Sequence, residues 1–149
     1  MERALRELET WGPFRASSLW RTEPLGGHPS QSWYVNAVAE LALGGEPLAC
    51  LHRLRALESA AGRPDARPRF APRVLDLDLL LFGEAVVDTP ELVLPHPGLT
   101  RRRFVLAPLA ELAPELLPPG ETRSVAALLR DLDDPLRVEN LGPRTEDPP

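Results

Sequence analysis

From Glu2 the apolar residues Ala4, Leu5, Leu8 and Trp11 recur at the spacing of one helix face, and Gly12-Pro13 supplies a stop. The chain is therefore expected to open inside a helix. Phe14 to Thr22 predicts a strand, and the following "EPLGGHPSQS" predicts a loop, because its glycines and prolines favour turn backbone. In "WYVNAVAELAL" the positions alternate. Val35, Ala37, Ala39, Leu41 and Leu43 share one face, and Tyr34, Asn36, Val38 and Glu40 share the other. Gly44 and Gly45 end that strand. Pro47 suits the first turn of a helix running to about Ala61, with Cys50, Leu54, Leu57 and Ala61 on one stripe and Gly62 as its stop.

"RPDARPRFAP" carries three prolines and predicts an exposed, arginine-rich loop. It feeds into "PRVLDLDLLLFG", Pro72 to Gly83, which reads as a buried strand. Leu75, Leu77, Leu79 and Leu81 line one face, and Val74, Asp76, Asp78, Leu80 and Phe82 the other. "GEAVVDTPELVLPHP" predicts a turn, a short strand and an extended stretch. Arg101 to Leu112 predicts a helix despite Pro108, and Ser124 can N-cap "VAALLRDL". No repeat or interior linker interrupts the pattern, so one domain over residues 1–141 is expected. The tail 142–149, "GPRTEDPP", has nothing to bury and is expected to be disordered.

With 149 residues and 43% hydrophobic composition the chain is long enough for a real core. It has no apolar run of about 20 residues and no apolar signal core in "MERALRELET", so a cytoplasmic protein without membrane association is expected. The single cysteine, Cys50, excludes an internal disulfide and a multi-cysteine metal site, and is expected to be a small buried hydrophobe. A net charge of −5 argues against a nucleic-acid partner. The basic residues are nevertheless all arginine, with Arg63, Arg67, Arg69 and Arg73 in one group and Arg101, Arg102 and Arg103 in another. The planar guanidinium fork matches phosphate oxygens.

Charge distribution changes the reading of the two aspartates. At i and i+2 on a strand face they lie about 7 Å apart, from a rise of roughly 3.3 Å per residue. That spacing suits ligands of one divalent cation or of two, and a solvated sheet face paired with arginines would also accommodate it. Hard oxygen ligands of this kind prefer magnesium, which substrate phosphates and water usually complete. The residues thus point to a magnesium-dependent enzyme acting on a nucleoside triphosphate. A Walker loop is excluded, because its lysine is absent.

"PRVLDLDLLLFG", followed by "LPHP" and "RRRFVLAPLAELAPEL" and preceded by "WRTEPLGG" and "WYVNAVAEL", resembles the 6-hydroxymethyl-7,8-dihydropterin pyrophosphokinase family of folate biosynthesis, in order from about Ser17 to Pro118. The resemblance implies an α/β (α+β) fold of ferredoxin-like type, an antiparallel-rich sheet with helices on its faces. It implies transfer of pyrophosphate from ATP to the pterin hydroxymethyl group with release of AMP. Asp76 and Asp78 would hold two magnesium ions. Arg73 and, on loop closure, Arg63 would contact phosphates, with His96, Arg102 and Glu58 at matching ATP-binding positions. The pterin would stack between Tyr34 and Phe104, with Asn36 reading its amide edge and Thr22, Leu25 and Phe70 completing the pocket.

Three departures accompany the match. Phe70-Ala71 replaces the family's Trp-Gly before "PR", and Asp65 stands where some members carry a second loop arginine. The family also opens with a strand and a Gly-Ser-Asn turn, so the resemblance implies that the first strand is missing from this chain. That leaves an alternative, an impaired homologue acting as an ATP-binding or assembly module. The expected partners are the small-molecule substrates alone, with a monomer or weak homo-oligomer. A ferredoxin-like RNA-binding domain is disfavoured, since its sheet face would set two aspartates against a phosphate backbone.

Overall fold

The computed structural model describes residues 1–24, 32–62 and 75–144. Among them the helices are α1 (Glu2–Glu9), α2 (Pro47–Ala60), α3 (Arg103–Leu112) and α4 (Val125–Asp131). The strands are β1 (Phe14–Ala16), β2 (Leu19–Thr22), β3 (Tyr34–Asn36), β4 (Ala39–Leu41), β5 (Val87–Asp88), β6 (Val93–Leu94) and β7 (Val138–Gly142). All pairings are antiparallel, and the class is α+β. The chain divides into two compact units, Met1–Leu43 with Gly98–Pro149, and Gly44–Pro97. No helix of the described residues is long and apolar enough to cross a membrane.

In the first unit α1 buries Ala4, Leu5 and Leu8, the stripe its spacing predicts. The strand expected over Phe14–Thr22 is two strands, because Ser17 and Ser18 divert the ladder. Ser17 Oγ donates to Ser18 O at 2.8 Å and accepts from Val38 N at 3.0 Å. Short hydroxyl side chains compete with ladder bonds in this way. The strand expected over residues 33–43 breaks at the same level, at Ala37-Val38. As a result β1 pairs β4, with Arg15 opposite Glu40, while β2 sits between β3 and β7. The break also alters the predicted alternation, since on β3 Val35 is exposed and Asn36 is half-buried.

Helix α3 packs on α4 and β2, burying Val105, Leu106 and Leu109 against a face that includes Val125 and Leu128. Pro108 lies inside α3 without ending it. Asp134 accepts from Arg103 N at 2.8 Å, satisfying a donor of the first turn, and Ser124 Oγ caps α4 by accepting from Ala127 N at 3.3 Å. Strand β7 was not expected from the pattern. Of the residues expected in the tail, Gly142 ends β7, and Arg144 reaches Glu9 at 3.0 Å, Glu2 at 3.5 Å and the Phe14 ring at 5.5 Å. Residues 145–149 lie outside the described residues.

In the second unit α2 starts at Pro47, and Gly62 follows its end with φ +93°, a left-handed backbone that glycine adopts without strain. Its buried residues are Cys50, Leu51, Leu54 and Glu58 rather than the predicted stripe through Leu57 and Ala61. Burial pushes the Cys50 thiol pKa up, against the opposing charge of Arg53. Strands β5 and β6 form a hairpin whose turn is closed by Thr89 and Leu92, each donating to the other at 3.0 to 3.1 Å. Leu51, Leu92 and Leu94 make the unit's core, with Leu79, Phe82 and Val87 packed on it. Residues 75–82 form no strand, contrary to expectation, although burial alternates from Leu75 to Leu79. Their backbone groups bond elsewhere, Leu80 O to His96 N at 2.9 Å and Leu77 N to the Glu58 side chain at 2.8 Å.

Candidate functional site

Leucine anchoring sets the direction of the aspartates in the second unit. Leu75 is buried and Leu77 and Leu79 are half-buried, while Asp76 and Asp78 between them are exposed, which preserves the period-two alternation without a ladder. The hydrogen bond from His96 N to Leu80 O brings the His96 ring to the same place. Its Nε2 lies 3.9 Å from Asp78 Oδ1.

Asp78 and His96 are among the residues lining a cavity of about 290 Å³, near the lower end of the volumes that take small-molecule ligands. Leu51, Leu79 and Leu92 supply apolar lining, and Arg55 and Glu91 face them. Glu91 Oε1 accepts from Arg55 Nη1 at 2.8 Å and lies 2.7 Å from His52 Nε2. The hydrogen bond from His52, supported by Arg55 and opposed by desolvation, holds the Glu91 carboxyl below the usual carboxylate range. This His52–Glu91–Arg55 group was missed by sequence reasoning. The signal available was His52 and Arg55 three residues apart on one helix face, but their acceptor lies 36 residues beyond Arg55.

Two exposed carboxylates are hard ligands, and among the described residues no group of three His, Cys, Asp or Glu side chains is gathered to hold a metal. Hard oxygen donors of this kind suit magnesium, which usually keeps water among its ligands. Glu58, expected at the nucleotide, is buried under the chain between the aspartates. Arg63, Phe70 and Arg73 lie outside the described residues, as does Leu25.

The first unit carries the remaining predicted residues. Tyr34 is 46% exposed on β3. Trp33 beside it is flanked by the guanidinium groups of Arg21 and Arg137, 5.0 and 5.4 Å from its ring, which steadies the start of the strand. Asn36 Nδ2 donates to Thr22 Oγ1 at 2.8 Å, and Thr22 is buried, so Thr22 orients the amide from beneath. Arg102, at the N-terminus of α3, lies 5.7 Å from the Phe104 ring and crosses Gly98 so closely that a Cβ there would meet its Nε at 3.0 Å. Thr22 with Asn36, and Arg102 with Phe104, are thus brought together. Glu111 on α3 fixes the strand break by accepting from Ser18 N and Oγ, both at 2.8 Å, and from Trp20 Nε1 at 3.1 Å. Burial pushes its pKa up, but these three bonds outweigh that and lower it.

A sequence model described as 7,8-dihydro-6-hydroxymethylpterin-pyrophosphokinase matches residues 1–114. The chain is similar to the 2-amino-4-hydroxy-6-hydroxymethyldihydropteridine pyrophosphokinases of Pseudomonas aeruginosa, 48% identical over 70% of this chain, and of Synechocystis, 35% identical over 80% of it. It is 34% identical to the Haemophilus influenzae enzyme of that name over 89% of its own length and 81% of the relative's. The matches span 64% and 60% of the Pseudomonas and Synechocystis proteins, less than two thirds of each.

Proposed function

The chain belongs to the 7,8-dihydro-6-hydroxymethylpterin-pyrophosphokinase family, and from that premise we propose that it transfers pyrophosphate from ATP to the hydroxymethyl group of 6-hydroxymethyl-7,8-dihydropterin, releasing AMP, in folate biosynthesis. The observation that carries the reading is the exposed Asp76/Asp78 pair, with Asp78 and His96 among the residues lining a cavity that leucines also line. A nucleoside polyphosphate has an apolar face for such leucines and phosphates for such polar groups. We read both units as one pyrophosphokinase domain over 1–141, because the family match runs through both.

In this reading Asp76 and Asp78 hold two magnesium ions with ATP. Magnesium, when bound, neutralises triphosphate charge as the β-phosphorus is attacked. His96, whose Nε2 lies 3.9 Å from Asp78 Oδ1, donates from Nε2 to a phosphate oxygen. Arg102, pinned over Gly98 and against Phe104, presents its remaining donors to phosphate without a large rotamer loss. Arg63 and Arg73 supply the other phosphate contacts. For the acceptor substrate, Tyr34 and Phe104 stack on the pterin ring; Leu25 and Phe70, assigned to the same substrate, lie outside the described residues. With one Nδ2 hydrogen on Thr22, Asn36 keeps Oδ1 and its second N–H for an amide edge. Catalysis is then positioning and charge stabilisation rather than covalent chemistry.

The relatives' names favour turnover over an ATP-binding or assembly module. A cytoplasmic location and a monomeric or weakly homo-oligomeric state belong to the same reading. Incubation of the chain with magnesium, ATP and the hydroxymethyl pterin, followed by chromatography, tests it. AMP formed only when the pterin is present is the expected result; ATP binding without AMP would overturn the enzymatic reading.

A further inference from the structure

Glu58 is 2% exposed, and its Oε1 accepts from the backbone N–H of Leu77, the residue between Asp76 and Asp78, at 2.8 Å. A buried carboxylate carries a large desolvation cost, so a glutamate there calls for a role that an apolar side chain would not fill. The backbone it meets belongs to no strand, though burial alternates from Leu75 to Leu79, so a side chain supplies the acceptor that a neighbouring strand would otherwise offer. Three residues on, Leu80 O is held by His96 N at 2.9 Å. The two bonds bracket Asp78. In an extended chain the side chains of residues 76 and 78 leave on the side opposite that of 77, so fixing the peptide at Leu77 fixes both their direction and their separation.

We propose that Glu58 is a positioning residue for the Asp76/Asp78 pair: from the buried face of α2 it holds the Leu77 peptide and thereby aims both carboxylates at a divalent cation, without touching the nucleotide. The inference rests on the proposed function for the identity of the cation's other ligands, the phosphates of ATP. Glu58 replaces a ladder bond with a side-chain acceptor for the Leu77 N–H. Groups that orient metal ligands typically change metal affinity 10- to 100-fold when removed.

The test compares the wild type, Glu58→Gln and Glu58→Ala, with the pterin withheld so that nothing turns over. Binding of Mn²⁺–ATP is measured by water-proton relaxation, binding of metal-free ATP by calorimetry, Leu77 amide exchange by NMR, and folding by far-UV circular dichroism. Glutamine keeps an acceptor for Leu77 N–H. It is expected to retain Mn²⁺–ATP affinity within about threefold and to keep the amide protected. Alanine is expected to lose about tenfold or more of that affinity, to expose the Leu77 amide, and to leave metal-free ATP binding within about twofold of wild type.

Equal losses of Mn²⁺–ATP and metal-free ATP would overturn the proposal in favour of direct nucleotide contact. Unchanged Mn²⁺–ATP affinity in Glu58→Ala, or a glutamine variant as impaired as alanine, would also overturn it. If alanine fails to fold, the wild type and Glu58→Gln decide: an unprotected Leu77 amide in the wild type, or loss of Mn²⁺–ATP binding in Glu58→Gln, overturns the inference, and protection with retained binding supports it. A wild type that binds Mn²⁺–ATP but forms no AMP with the pterin removes the proposed function and leaves this inference standing. A wild type that binds no Mn²⁺–ATP removes both.

Discussion

Leu94→Ala is expected to weaken the second unit and the cavity together. Leu94 is 2% exposed on β6 and packs in the core with Leu51 and Leu92, against which Leu79, Phe82 and Val87 lie. The substitution removes three carbon groups, about 2.4 kcal/mol at roughly 0.8 kcal/mol each. The cavity left behind adds to this, because α2 and the hairpin collapse only partly into it, giving a total of about 3 to 4 kcal/mol. At about 2 to 4 °C per kcal/mol for a chain of this size, the melting temperature falls by roughly 6 to 16 °C. Leu51, Leu79 and Leu92 belong both to this core and to the cavity lining, so the KM for ATP rises before kcat falls. Urea denaturation followed by circular dichroism measures the first effect and steady-state AMP release the second. Val86→Ala on the same hairpin is the control, since Val86 is 74% exposed and its truncation costs under about 0.5 kcal/mol. A Leu94→Ala loss below about 1 kcal/mol would refute the packing argument.

Asp78→Asn removes a charge from a side chain that is 53% exposed. Stability stays within about 0.5 kcal/mol, while AMP formation falls at least about 10²-fold; retained AMP formation in a coupled assay would remove the cation role. Tyr34→Ala weakens pterin binding about tenfold, the value of a lost stacking face, and ATP binding less, as calorimetry with each ligand alone reads; equal loss for both would assign Tyr34 to packing. The lowered pKa of Glu91 fixes the sign of a pH effect. Its tie to His52 and Arg55 contributes stability above the unfolded-state carboxylate value of about 4.3 and loses it as pH falls through the lower folded value. NMR titration of the Glu91 carboxyl should show His52→Ala moving its midpoint up; an unmoved midpoint would mean that His52 does not hold it.

Helices were the legible part of the fold, because each depends on residues close in sequence: the α1 stripe, Pro47 at the start of α2, Ser124 capping α4. Strands were less legible where partners are distant. The split between β1 and β2 depends on Val38 and Glu111, and β7 depends on pairing with β2 more than 110 residues earlier, so neither leaves a periodic mark. Alternation put Asp76 and Asp78 on one face but in a buried strand; their exposure did not follow from it. Nor did the place of Glu58, because its contact is with a backbone group and no side-chain pattern encodes that.

From Leu75 to Leu79 burial alternates although no strand forms, whereas Leu79 and Phe82, expected on opposite faces, pack on one core. Alternation is a property of extended backbone and requires only that each peptide be held flat. A ladder is one way to hold it; here leucines on one side and two unrelated acceptor–donor pairs, Glu58 with Leu77 and Leu80 with His96, accomplish the same. Such a scaffold differs from a ladder in its sensitivity. Ladder bonds are many and similar, so losing one shifts little, whereas two bonds bracketing Asp78 each control the direction of a carboxylate. On the proposed function, chemistry of this kind depends on charges that are closely placed, and the proposal then makes the buried Glu58 on α2 as important to the aim of Asp76 and Asp78 as the leucines beside them.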